Sequence, residues 1–126
     1  MPYEIGTPGG RRVAVISQST GEATRLANAG AAYTAAPTTG NSVRFHSPKH
    51  TIQVVLTTSS GNGSGTLIVE GTNDGVNYVT IATTTFTSGA CPQVDGYSID
   101  AAWSQLRSRC TAISGSSAAI DVWVGE

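Results

Sequence analysis

The sequence predicts an all-β chain, an antiparallel two-sheet β-sandwich of jelly-roll-like type with an extended N-terminal arm. Three observations carry that expectation. Apolar residues alternate with polar ones in short runs, turn-forming Gly, Asn, Asp and Pro fall between the runs, and 31 of the 126 residues are Ser or Thr while 15 are Gly. Such a composition favours strands with wet outer faces and many turns over packed helices. At this length the chain closes one core.

The clearest element is a hairpin. Leu67 to Val69 and Val79 to Ile81 are apolar runs of β-branched character, and between them Asn73-Asp74-Gly75 supplies residues that tolerate φ > 0. Upstream, Ser42 to Phe45 alternates and stops near Pro48, and Thr51 to Thr57 puts Ile52, Val54 and Leu56 on one face with Gln53 and Thr57 on the other. Ser59 to Gly65 is expected to be a flexible connector, and a softer strand follows the hairpin from Thr83 to Phe86. Val94 to Ile99 is expected to pair weakly. In the next run Leu106, Ser108, Cys110 and Ala112 share a face opposite Arg107, Arg109, Thr111 and Ile113. Ser114 to Ser117 then turns the chain into Ala119 to Val124, with Ile120, Val122 and Val124 facing one way and Asp121 and Trp123 the other, which predicts a second hairpin.

The first forty residues have a different texture. Arg11 to Ile16 reads as one strand, Ser19 to Leu26 as a helical turn capped by Ser19 or Thr20, and Ala27 to Gly40 as an Ala/Thr/Gly stretch broken by Pro37. Residues 1–40 are therefore expected to be an N-terminal arm, or a first strand with a long loop, and residues 41–126 the sandwich domain. On the arm reading the sandwich folds without residues 1–40.

Composition excludes several functions. Seven Lys/Arg against eight Asp/Glu leave a net charge of −1 and no basic stripe, so nucleic acid is not an expected partner. No apolar run approaches the roughly 20 residues of a membrane span, and Met1-Pro-Tyr-Glu4 lacks the basic start of a secretory signal, so synthesis in a cytoplasm is expected. A hydroxyl-rich surface with so little charge suits a protein that ends up docked on something.

Candidate sites are few. His46 and His50 are the only histidines, but Pro48 between them breaks the helix that would bring them together on a metal. Glu70, Asn73, Asp74 and Asn77 gather oxygens near the hairpin turn without the acid spacing of an EF-hand, so turn chemistry explains them better than Ca²⁺. Tyr78, Trp103 and Trp123 are candidates for a sugar-stacking face, against the plainer reading of core or interface anchors. Cys110 reads as a small buried thiol, with a Cys91–Cys110 disulfide left open. No catalytic, cofactor-binding or metal residue is assigned, and the chain is not expected to be an enzyme.

Val69-Glu-Gly-Thr-Asn-Asp-Gly-Val-Asn-Tyr-Val-Thr-Ile81, then Ala102-Trp-Ser-Gln-Leu-Arg-Ser-Arg-Cys-Thr-Ala-Ile-Ser-Gly115 and the closing Ile120-Asp-Val-Trp-Val124, resemble small virion proteins of tailed bacteriophages, among them capsid decoration (cement) proteins. The resemblance implies a viral structural protein on the capsid surface of the virion. Its partners would be the major capsid protein and itself, as a homotrimer or other small homo-oligomer. Another virion component of tail, neck or spike, and a carbohydrate- or receptor-binding module, are the alternatives.

Overall fold

The computed structural model describes residues 23–27, 30–45 and 47–125. Among these residues nine strands run β1 (Ala23–Arg25), β2 (Thr38–Thr39), β3 (Val43–Arg44), β4 (Lys49–Thr57), β5 (Ser60–Thr72), β6 (Val79–Ala90), β7 (Gln93–Asp100), β8 (Gln105–Ser116) and β9 (Ala119–Gly125). They form two antiparallel sheets, ordered β1-β9-β4-β7 and β2-β8-β5-β6, with β3 also on β8. If β2 and β3 are taken as one broken strand, this is the order of a jelly roll. Among the described residues only β5 and β6 pair as chain neighbours, so β4 to β5, β6 to β7 and β8 to β9 all cross between sheets.

The core lies between the sheets and follows the alternation. β4 turns Ile52, Val54 and Leu56 inward and β9 turns Ile120, Val122 and Val124 inward, all at most 2% exposed. They meet Leu67 and Val69 of β5 and Leu106 and Cys110 of β8. Each such side chain contributes about 1.5–3 kcal/mol on leaving water.

Several expectations need correction. The helical turn ending at Leu26 is not formed where it can be seen, because β9 offers Ala23 to Arg25 a ladder that local propensity cannot match. Its beginning, and the strand at Arg11 to Ile16, lie outside the described residues. The described part of residues 1–40 is built into both sheets. Leu26 donates its backbone N–H to the Val122 carbonyl at 2.8 Å, and Tyr33 exchanges backbone bonds with Ile120 at 2.8 and 2.9 Å. Leu26 and Tyr33 are both fully buried, so residues 41–126 alone lack part of their own core.

The Ser59 to Gly65 connector is mostly the start of β5. Gly63 and Gly65 in it serve close approach: a Cβ on Gly65 would lie 2.7 Å from Ile120 Cδ1 and 2.9 Å from the Ala112 carbonyl oxygen. The softer strand at Thr83 to Phe86 is continuous with β6, and β7 pairs with β4 over eight consecutive residues. The closing turn makes no hairpin, since β8 and β9 belong to opposite sheets. Finally, the register jumps from Leu67↔Cys110 to Thr66↔Ala112, which makes Thr111 an extra residue in β8. That bulge reverses the faces beyond it, so Ile113 packs on the core and Ala112 is exposed.

Candidate functional site

Building outward from the core, β8 sends Gln105, Arg107 and Arg109 to the outer face of its sheet because Leu106, Ser108 and Cys110 face inward. Register places Glu70 opposite Arg107 and Ile68 opposite Arg109 on β5, and Arg44 of β3 opposite Gln105. Glu70 is the hub of this face. It is 5% exposed and accepts from Arg107 Nε at 2.8 Å and from Arg109 Nε and Nη2 at 3.3 and 3.1 Å. Burial pushes its carboxyl upward, but the hydrogen bonds and charges of the two arginines outweigh that and hold it below the usual range. The Arg107 guanidinium also lies over the Tyr78 ring, 3.5 Å from its centroid, and the Tyr78 hydroxyl bonds Ser42 Oγ.

The hairpin turn beside this cluster is held by Asp74. Its Oδ1 accepts the N–H groups of Val76 and Asn77, each at 2.8 Å, and the Thr72 hydroxyl at 3.0 Å, while Oδ2 accepts Asn77 Nδ2 at 2.8 Å. Those donors, led by the backbone N–H of Asn77, depress the Asp74 carboxyl far below its ordinary value. Of the turn residues Gly75 alone takes a positive φ, at 78°. Asn73 Oδ1 accepts the Ser104 N–H at 3.0 Å, and Ser104 Oγ donates to the Thr72 carbonyl at 2.8 Å, which ties the turn to the segment before β8. Glu70, Asn73, Asp74 and Asn77 thus serve different local partners and do not converge on a common point.

The three candidate aromatics are dispersed. Trp103 covers Gly71, where a Cβ would meet the indole at 2.6 Å. Trp123 stands on the outer face of the other sheet beneath Arg25, 5.0 Å from the ring centroid, and Arg25 in turn forks onto Asp121, its Nε 2.9 Å from Oδ1. Tyr78 and Trp123 therefore each have one ring face covered by a guanidinium, on opposite sheets. His50 is buried on the inner face of β4 with its ring edge-on to Phe45 at 5.2 Å, while His46 lies outside the described residues. Cys91 and Cys110 are free thiols, and burial raises the pKa of Cys110. A shallow cavity of about 410 Å³ at one end, lined by Thr34, Ile113, Ser114, Gly115, Ser117 and Ala118, contains no ionisable side chain.

A second feature of the same sheet is its edge, beyond which no strand pairs among the described residues. β6 is the terminal strand and carries no charged residue and no proline over Val79–Ala90, with Thr83, Thr85 and Thr87 exposed. Two bulges shift its register, but Ala82 to Phe86 pair without interruption. Val79 is 53% exposed at its start and Val76 76% exposed in the preceding turn. The residues singled out from the sequence include Glu70 and Tyr78 but not their arginine partners; the outward alternation of Arg107 and Arg109 was visible, whereas their union on Glu70 depends on strand register. A scan against protein-family models, a search of curated proteins and a search of solved structures each gave no match.

Proposed function

We propose that this chain is a non-catalytic viral structural protein that attaches to an assembled bacteriophage capsid as a decoration protein and stabilises it. The observation that carries the reading is the bare edge of β6. Natural sheets guard such edges with lysine, proline, inward-pointing charge or bulges; β6 has two bulges, and the regular, uncharged stretch Ala82 to Phe86 between them is a template for pairing with another chain. The resemblance of Val69 to Val124 to phage virion proteins supplies the kind of partner. A jelly roll is a common architecture of viral capsid domains, and repeated attachment at many sites on a particle needs only modest affinity per contact. The major capsid protein is the proposed partner, and self-association into a small oligomer would multiply the contacts.

A carbohydrate-binding module has the same topology in its favour, since lectins share it. The dispersed and guanidinium-covered rings of Tyr78 and Trp123 weigh against that second reading.

Co-sedimentation with capsids assembled from the major capsid protein of the same genome tests the proposal. The wild-type chain is expected to pellet with the particles, and Thr83→Lys/Thr85→Lys, which blunts the edge without touching the core, is expected to stay in the supernatant. Wild-type protein that remains soluble beside the particles would overturn the capsid reading. Equal pelleting of the lysine variant would remove β6 from it.

A further inference from the structure

We infer that the outer face of the β8-centred sheet, around Arg44, Arg107 and Arg109, is a docking face for a carboxylate-bearing protein surface; in the virion this rests on the proposed function above and names the chemistry of the partner.

The first argument is charge. Of the five basic side chains among the described residues, Arg44, Arg107 and Arg109 project from this one face, where Glu70 is the one carboxylate borne by the strands and Asp74, engaged by its own turn, is the one beside them. On the outer face of the opposite sheet the charges cancel: Arg25 is forked onto Asp121 and Lys49 stands opposite Asp100 in register, while Asp95 turns toward the other sheet and accepts from Thr84 Oγ1. The excess of positive charge is thus local, although the whole chain is close to neutral, and it complements an acidic surface.

The second argument is preorganisation. A free arginine gives up rotamer freedom when it is captured, and a partner must repay that loss. Here the loss is already met. Arg107 is stacked on Tyr78 and tethered to Glu70 through Nε alone, so its terminal Nη groups keep the planar fork that recognises a carboxylate bidentately. Glu70 holds Arg109 beside it. A nearly buried carboxylate is a costly choice for a sheet face, because apolar residues of similar size serve stability as well or better. Its use as a support for two arginines accounts for its presence. Arginine and tyrosine are also the side chains that dominate binding energy at protein interfaces, and Ile68 and Thr83 flank the cluster with uncharged surface.

Two measurements on the full chain test the inference. In the first, an octaglutamate peptide is titrated into ¹⁵N-labelled protein; shifts are expected to concentrate at Arg44, Tyr78, Arg107 and Arg109 and to vanish in 0.5 M NaCl. In the second, particle binding is compared for wild type, Arg44→Gln, and the triple variant Glu70→Gln/Arg107→Gln/Arg109→Gln, which removes the charges together and leaves no buried carboxylate alone. The triple variant is expected to bind at least about tenfold more weakly, Arg44→Gln by a few-fold, and both to melt cooperatively.

If wild type and triple variant bind particles equally, the inference fails while the capsid reading survives. If the peptide maps to the arginines but particles are ignored, the capsid reading fails and the face stands. Absence of both signals overturns both, and a single-stranded oligonucleotide that maps to the arginines more tightly than the peptide would replace the carboxylate with a phosphate.

Discussion

The two sheets bury the same kind of surface and expose different ones. Facing inward, both alternate aliphatic side chains, and Val54, Leu56, Ile120 and Val122 of one sheet are interchangeable in kind with Leu67, Val69 and Leu106 of the other. Facing outward, the β9-centred sheet carries one Arg–Asp fork and the cross-strand pair of Lys49 on β4 and Asp100 on β7. The β8-centred sheet carries three arginines around a nearly buried glutamate, and an edge, β6, with no charge. Inner faces are fixed by the need for a core, so they converge; outer faces are free to differ, and the difference is where the proposed attachment would act. The edges repeat the contrast. Asp95 reaches across the open side of the sandwich to accept from Thr84 Oγ1 at 3.0 Å, closing the sheets while it charges the β7 edge, whereas β6 has no such guard.

The largest way to break this symmetry of inner faces is to remove what joins them at the start of the chain. Deletion of residues 1–40 takes away β1, β2, Leu26 and Tyr33, and the remainder is expected to show no cooperative thermal transition by circular dichroism; a chain beginning at Ala23 retains those contacts and is the control. Within the same feature, Tyr33→Ala should cost about 3–5 kcal/mol, as for a buried aromatic. Tyr33→Phe should cost about 1–2 kcal/mol, because only the hydroxyl bond to Ser108 is lost. Equal costs for the two would show that Tyr33 acts through its hydroxyl and not its packing.

A smaller effect separates the outer faces by pH. Glu70 has its pKa depressed in the folded chain, so its stabilisation is complete above the ordinary carboxylate range and declines as pH falls through the lower folded value. Urea titrations at pH 6 and pH 3 should show wild type losing more stability than Glu70→Gln over that interval. Asp121→Asn, in the half-exposed pair on the other sheet, should cost about 1 kcal/mol or less at pH 6. A Glu70→Gln variant that parallels wild type at both pH values would mean the arginines do not hold that carboxylate.

The smallest expected change is chemical. A thiol reagent should modify half-buried Cys91 in the native protein and buried Cys110 only after unfolding. Two thiols reacting at one rate in native protein would place β8 outside the core.

Alternation made β4 and β9 legible in the sequence, because their inner residues, His50 apart, are apolar and their register never slips. The β5–β6 hairpin was legible because its partners are adjacent in the chain and Gly75 takes the positive φ such a turn requires. The arch from β8 to β9 was not, since Ser114-Gly-Ser-Ser117 suits a hairpin and a crossing between sheets equally. Nor was the Thr111 bulge, which changes which of Ala112 and Ile113 is buried without altering the alternation on paper. Ala23 to Arg25 became a strand only because β9, almost a hundred residues away, supplies the ladder. The arginine face failed to appear for the same reason: Glu70 and Arg107 are separated by 37 positions and become neighbours only by strand pairing.

The placement of β9 between β1 and β4 has a bearing on how the protein is made. β9, the last of the described strands in chain order, is an interior strand of its sheet, so that layer stays open, with two unjoined edges, until β9 has been made. With β5–β6 the one local pairing among the described strands, the nascent chain has a single hairpin to rest on meanwhile. A stalled or prematurely terminated product would thus be aggregation-prone rather than a smaller working protein, and a carboxy-terminal fusion would test how much delay the open layer tolerates.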